Sequence, residues 1–280
     1  MRLLKNLASL RQWRSQQQRT VALVPTMGNL HEGHLSLVKK AQQQADVVVV
    51  SIFVNPMQFG ANEDLESYPR TLQADCQALE QLGVDAVFTP QVDDMYPRGL
   101  EAQTRIEVPG ISDILCGASR PGHFVGVATI VCKLFNMVQP QVAVFGEKDF
   151  QQLQVIRLMT QDLSLPVDII GVPTAREPSG LAMSSRNGYL SEAQKQQAAS
   201  IYRTLQQLAQ KLQQGAPQDA QRWAVEELSR MGFEVDYVEI RNADSLQPAT
   251  AADAKWVALV AAKLGSTRLI DNLVIANDHA

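Results

Sequence analysis

The chain has 280 residues, 45% hydrophobic and 19% charged, which excludes intrinsic disorder and allows a sizeable core divided between two domains. Twenty-five basic against 29 acidic side chains leave a net charge of -4, which argues against a coat for nucleic acid and for a small-molecule partner. No apolar run approaches the roughly 18 residues of a membrane span, and Cys76, Cys116 and Cys132 form no C-x-x-C pair, disulfide framework or zinc ribbon, which fits a reducing cytosol.

Along the chain, Leu3, Leu4, Leu7, Leu10 and Trp13 share one helical face and predict a surface helix. Arg2, Lys5, Arg11, Arg14 and Arg19 precede the first acid, Glu32, a bias found in organellar transit peptides. The pattern runs directly into a strand, however, which favours a helix packed on the domain, and the continuous apolar segment of a secretory signal is absent. Apolar and β-branched runs at 21–24, 47–54, 86–88, 142–145 and 167–172 predict buried parallel strands. Amphipathic segments at 34–45, 71–82, 124–138 and 150–163 supply crossover helices, so the fold class is α/β, a Rossmann-like doubly wound parallel sheet. Ligands of such sheets lie at the carboxyl ends of the strands, which directs attention to the segments beginning at Pro25, Asn55 and Gly146. From about Glu177 the rhythm changes: helices at 191–214 and 218–231 and strands at 235–241, 256–263 and 268–275 predict a smaller α+β C-terminal domain. The expected domains are 1–176 and 177–280, with Pro178 and Gly180 marking a hinge.

Three stretches carry chemistry. The first core strand ends in Met27, Gly28, Asn29, Leu30, His31, Glu32, Gly33 and His34, where a helix begins. Unsatisfied amides at a helix N-terminus favour anions, Gly33 permits close backbone approach, and His31 and His34 stand within one turn: a phosphate cradle with two imidazoles. The same residues also read as histidines that cap the helix, or as a metal pair for which only Glu32, His123 or a remote acid is on offer. Gly146, Glu147, Lys148 and Asp149 leave another strand: Lys148 can meet phosphate charge and Asp149 can accept from ribose hydroxyls or assist Mg²⁺, with a solvated charge run as the alternative. In Met183, Ser184, Ser185 and Arg186, two hydroxyls and a guanidinium can close over a polyphosphate, although an ordinary turn or helix cap has the same composition. The H-x-G-H and Met-Ser-Ser-Arg segments together resemble the paired signatures of adenylyl-transferring enzymes related to class I aminoacyl-tRNA synthetases.

The sequence resembles the pantothenate synthetase (pantoate–β-alanine ligase) family through VPTMGNLHEGH at 24–34, SIFVNPMQF at 51–59, YPRT at 68–71, SRPGHF at 119–124, FGEKDFQQ at 145–152, MSSRNGYL at 183–190 and LGSTRLIDN at 264–272. The likeness covers essentially the whole chain, with no departure at a functional motif position and only a diffuse match in the Gln-rich C-terminal helices. It implies an ATP-dependent ligase that makes pantothenate from pantoate and β-alanine through pantoyl adenylate, releasing AMP and pyrophosphate. It further implies that residues 27–34 bind ATP, with His31 and His34 on the triphosphate and His34 the proton donor. Lys148 and Arg186 neutralise charge, Ser184 and Ser185 close over the β and γ phosphates, Gly146 and Asp149 hold ribose beside Glu147, and adenine lies near Ala175 and Met183. Gln58 and Gln152 bind pantoate, Gln58 also reaches β-alanine, and Arg120 and His123 line the same pocket. Mg²⁺ is expected with ATP, which supplies most of its ligands, so no protein ligand is named. The family further implies a cytoplasmic homodimer without nucleic-acid or membrane partners.

Competing readings are another nucleotidylyl transferase of this fold, set apart by the Gln58 and Gln152 pocket, and a noncatalytic nucleotide-binding regulator, against which Lys148 and Arg186 argue. A histidine metal protein lacks a third ligand, and an aminoacyl-tRNA synthetase would need a basic anticodon-reading domain.

Overall fold

The structure is a computed structural model that describes residues 1–60, 63–213 and 216–277. The chain divides into two compact units, Met1–Glu147 with Val155–Pro173, and Lys148–Gln154 with Thr174–Ala280.

The first unit holds six parallel strands, β1 (Arg2–Leu4), β2 (Val21–Thr26), β3 (Val47–Ile52), β4 (Ala86–Phe88), β5 (Val142–Gly146) and β6 (Asp168–Val172), in the order β1-β4-β3-β2-β5-β6. Val21 to Val24 and Val49 to Val50 are wholly buried, as an uninterrupted apolar run requires when helices cover both faces of a sheet. The helices are α1 (Leu7–Ser15), α2 (Glu32–Gln44), α3 (Leu72–Gln81), the short α4 (Val92–Met95) and α5 (Cys116–Ser119), α6 (His123–Val138) and α7 (Phe150–Asp162), whose first turn belongs to the second unit.

In the first unit two expectations are corrected. The N-terminal helix begins only at Leu7, because Asn6 and Ser9 form a reciprocal capping box there, and Arg2–Leu4 instead pairs with Ala86–Phe88 as an edge strand. The segment expected to be amphipathic at 124–138 is buried on nearly all sides, including Gly126, Ala128 and Thr129.

β2 is flanked by β3 and β4 on one side and by β5 and β6 on the other, so the connection order reverses beside it. β2 and β5 pair only through Ala22↔Val142 and Leu23↔Ala143. β2 pairs with β3 as far as Thr26↔Ile52, and β5 with β6 as far as Gly146↔Val172. The two central strands therefore part before their carboxyl ends, at the switch point where ligands of open α/β sheets bind.

The second unit carries helices α8 (Glu192–Ala198), α9 (Ser200–Leu212) and α10 (Pro217–Arg230) and an antiparallel sheet β7 (Glu234–Asn242), β8 (Lys255–Leu264) and β9 (Thr267–Ala276). Leu205, Leu208, Ala224, Leu228, Val260 and Ala262 form part of one buried core. The single helix expected at 191–214 is two, because Ser200 Oγ donates to the Gln197 carbonyl at 2.6 Å and competes with the helical ladder. Residue 214, its expected end, lies outside the described residues. Pro178 and Gly180 are not a hinge between domains. They form a closed turn inside the second unit, where Gly180 N–H donates to the Glu177 carbonyl at 2.8 Å and Glu177 N–H to the Leu181 carbonyl at 2.8 Å. Among the described residues no helix is long and apolar enough to cross a membrane.

Candidate active site

After β2, two residues in the left-handed region, Gly28 (φ 82°) and Asn29 (φ 51°), turn the chain toward α2. A Cβ on Gly28 would lie 3.1 Å from Asp75 Oδ2 and 3.1 Å from Ile52 Cγ2, so space as well as φ selects glycine. Such a turn gathers successive amides into an anion-binding concavity. Here the anion is a side chain of the same protein: Asn29 N–H donates to Asp75 Oδ2 at 3.0 Å and Leu30 N–H to Oδ1 at 2.8 Å. Thr71 Oγ1 donates to the same carboxylate, 3.1 Å from each oxygen. Asp75 is only 2% exposed, and sequence reasoning missed it. The available signal was an acid sharing the buried face of α3 with Leu79, one turn away.

His31 is the N-cap of α2. Its Nδ1 accepts Gly33 N–H at 3.2 Å, and His34 Nδ1 accepts His31 N–H at 3.4 Å. The His31 carbonyl accepts the amide of His34 at 2.8 Å. Helix capping by the histidines is therefore realised. The expectation of open helix-terminal amides is corrected accordingly, since those of Asn29, Leu30, Gly33 and His34 are all engaged within the chain. With Nδ1 accepting, the proton of each neutral ring resides on Nε2. The ring centroids are 4.1 Å apart with planes inclined by 44°. Capping thus fixes the orientation of both imidazoles.

Beyond β3, Asn55 caps the tight turn Pro56–Gln58. Asn55 is 1% exposed, accepts from Tyr96 Oη at 2.6 Å, and donates through Nδ2 to the Gly126 carbonyl at 3.2 Å and to Gln58 Oε1 at 3.1 Å. Burial pushes the Tyr96 phenol far up, which keeps it protonated as a donor. Gln58 Nε2 donates to Met27 Sδ at 3.2 Å, which joins the ends of β3 and β2. Arg120 and His123 bear on the backbone of Gln58: His123 Nδ1 lies 2.8 Å and Arg120 Nη2 3.3 Å from its carbonyl oxygen. Arg120 Nη1 donates to His123 Nε2 at 3.0 Å, which fixes the His123 proton on Nδ1. Arg120 also grips Glu63 with two donors. Burial pushes the Glu63 carboxyl up, but the hydrogen bond and charge of Arg120 outweigh it and hold the group below the ordinary carboxylate range.

The close approach of α6 to this turn depends on Gly126, where a Cβ would lie 2.4 Å from the Met57 carbonyl oxygen and 2.7 Å from Gln58 N. Gly126→Ala is expected to destabilise the protein by about 1–3 kcal/mol through overpacking against backbone. Urea unfolding checks this, and a loss below about 0.5 kcal/mol would mean that helix and turn separate freely.

In the second unit, Lys148 Nζ stands 3.9 Å from Asp149 Oδ2. Asn272 Nδ2 on β9 donates to the Lys148 carbonyl at 2.9 Å, and Gln154 Nε2 on α7 to the Ala243 carbonyl at 3.0 Å. Arg176 meets Asp271 through both Nη atoms, at 2.6 and 2.8 Å, and stacks 3.6 Å from the Tyr202 ring centroid. Met183 N–H donates to the Ala175 carbonyl at 2.9 Å, which brings together the two positions assigned to adenine. Ser184 Oγ accepts Arg186 N–H at 3.3 Å and so caps the turn Ser185–Tyr189. Gln152, half-buried, sits in the first turn of α7.

The structure therefore brings 27–34, Gln58, Arg120 and His123 into the first unit, along with Gly146 and Glu147 at the end of β5. It brings Lys148, Asp149, Gln152, Ala175 and 183–186 into the second. Asn55, Tyr96, Glu63, Asp271 and Asn272 support these residues without having been assigned a role from sequence. Among the described residues no group of three or more His, Cys, Asp or Glu is arranged to hold a metal ion.

A family profile described as Pantoate-beta-alanine ligase matches residues 2–274. The chain belongs to the pantoate-beta-alanine ligase family. The pantothenate synthetase of Idiomarina loihiensis is 70% identical over 281 residues, covering 100% of both chains. That of Shewanella loihica is 62% identical over 94% of each chain. Among solved structures, pantothenate synthetase from Thermus thermophilus superposes with a TM-score of 0.91 at 45% identity, over 98% of this chain and 99% of that one. Pantoate-beta-alanine ligase from Francisella tularensis, solved in complex with beta-gamma ATP and beta-alanine, gives 0.82 at 37% identity over 98% and 97%. The parallel sheet and the small antiparallel sheet agree with the architecture of these ligases.

Proposed function

We propose that this protein is a pantothenate synthetase, an AMP-forming ligase that joins pantoate to β-alanine with ATP and serves coenzyme A precursor biosynthesis. The observation that carries the reading is a histidine pair anchored through Nδ1 at the carboxyl end of β2, in a chain that matches the ligase family over 2–274. A pantoate carboxylate oxygen attacks the α-phosphorus of ATP; the new P–O bond forms as the bond to pyrophosphate breaks. The β-alanine amine then attacks the acyl carbon, forms the amide C–N bond, loses its proton and releases AMP. Charge grows on phosphate oxygens in the first step, so placed donors and cations lower its barrier and no covalent nucleophile is needed.

His31 and His34 present Nε2–H to the triphosphate, with His34 as proton donor. Lys148 and Arg186 neutralise phosphate charge while Ser184 and Ser185 hold the β and γ phosphates. Ribose lies at Gly146 and Asp149 beside Glu147, and adenine against the backbone at Ala175 and Met183. Pantoate takes Gln58 and Gln152, and β-alanine takes Gln58, with Arg120 and His123 acting through the carbonyl of Gln58. Mg²⁺ enters on the triphosphate, which supplies most of its ligands. The expected division at 176/177 gives way to the two units: the first carries the histidine pair and Gln58, and the second, with Lys148, Gln152 and 183–186, serves as the lid domain. Cys76, Cys116 and Cys132 stand as thiols, a state that a reducing cytoplasm maintains, and the family resemblance carries a homodimer.

The test is isotope exchange: pantoate alone is expected to support exchange of labelled pyrophosphate into ATP. A requirement for β-alanine, or products of ADP and phosphate, would falsify the adenylate route.

A further inference from the structure

We infer that Asp75 is a positioning residue for adenylate formation: its buried carboxylate fills the anion-binding turn at 28–30 and thereby sets the two imidazoles that follow. This deepens the function proposed above and rests on its assignment of His31 and His34 to the triphosphate. The turn at Gly28 and Asn29 has the backbone shape that phosphate-binding loops present to a ligand, yet its amides converge on Asp75 Oδ1 and Oδ2 at 2.8 and 3.0 Å. A substrate phosphate cannot take the same two amides. The turn thus acts as a fixed support, one residue ahead of the N-cap His31, and recognition passes to the imidazoles.

The carboxylate is suited to this and an amide is not. Here each amide meets its own oxygen, whereas asparagine in the same pose places one oxygen on one N–H and turns its NH₂ toward the other. The unpaired amide would be buried at a site that is 2% exposed, which makes its loss costly. Thr71 Oγ1 completes the ring of donors and ties the turn to the first residues of α3. The coupling to chemistry runs from Asp75 through Leu30 to His31, whose Nδ1 and amide set the two rings.

Asp75→Asn in the full chain is expected to slow pantoate-dependent pyrophosphate exchange by about tenfold to a hundredfold while cooperative unfolding persists. Imidazole ¹⁵N spectra supply a readout that general destabilisation would not move. His31 and His34 are expected to shift from Nε2-protonated rings toward tautomer mixtures, while His123, held as the Nδ1-protonated form by Arg120 and Gln58, stays unchanged. Thr71→Val removes one donor and is the milder variant: several-fold slower exchange with ring shifts in the same direction. It carries the same two readouts if Asp75→Asn does not fold. Unchanged His31 and His34 signals, or normal exchange in these variants beside slow exchange in His34→Ala, overturn the inference. Normal exchange in His34→Ala instead overturns the assigned histidine role, and the ring spectra still decide for Asp75.

Discussion

His34→Ala is expected to slow adenylate formation by on the order of a hundredfold or more, because the role proposed for it is that of a donor to charge that grows in the transition state. The same substitution removes the Nδ1 that accepts the amide of His31, so a stability loss of about 1 kcal/mol is expected alongside. The two effects can be separated. Gln at the third helical position is itself a capping-box residue, so His34→Gln is expected to restore the cap and the unfolding midpoint but not the rate. Rapid-quench measurement of pantoyl adenylate with thermal unfolding checks both. A near-normal single-turnover rate in either variant would return His34 to capping alone.

Asp271→Asn is expected to produce the largest loss of stability. Arg176 and Asp271 make a two-pronged pair in which the side chains are 17% and 4% exposed. Removing one charge from a buried pair leaves the other uncompensated, typically at about 3–5 kcal/mol, and the lower end suits an arginine that keeps the Gly180 carbonyl and the face of Tyr202. Asp271 Oδ1 also accepts the amide of Asn272, whose side chain holds the Lys148 carbonyl, so exchange activity is expected to fall as well. Urea unfolding of Asp271→Asn beside an Arg176→Met, Asp271→Leu double variant provides the check. The double variant should be closer to wild type, since replacing both partners leaves no buried charge unpaired. A single variant within about 1 kcal/mol of wild type would show that the guanidinium finds another partner.

Strands β2 to β5 were legible because burial between two helical layers makes each a short apolar run, whereas β6, only partly buried, was legible from its apolar Ile169, Ile170 and Val172. The edge strand Arg2–Leu4 was not, since its leucines also fit a helical face and its partner β4 lies far along the chain. At the site, the strand-end rule led to His31, His34 and Lys148, while Gln58 and Gln152 stood out through the family resemblance. The supporting residues were hidden for one physical reason: their partners are tertiary. Asp75 acts on amides 45 and 46 residues away, Tyr96 on Asn55 across 41, and Asn272 on Lys148 across 124. Arg120 and His123 were visible as residues of the SRPGHF loop, but their grip on a backbone carbonyl, 62 and 65 residues away, leaves no local pattern.

The second unit is assembled from two stretches, Lys148–Gln154 and Thr174–Ala280, so the polypeptide crosses between units at 147/148, 154/155 and 173/174. No single proteolytic nick or gene boundary can therefore release that unit whole, and a fragment starting at Thr174 would leave the Asn272 side chain without the Lys148 carbonyl. The order of synthesis gives this a temporal meaning. Lys148 leaves the ribosome early, yet its carbonyl gains its anchor only after Asn272 has been added, 124 residues later. A nascent chain that already carries both histidines and the lysine thus holds Lys148 without its backbone anchor until β9 is complete.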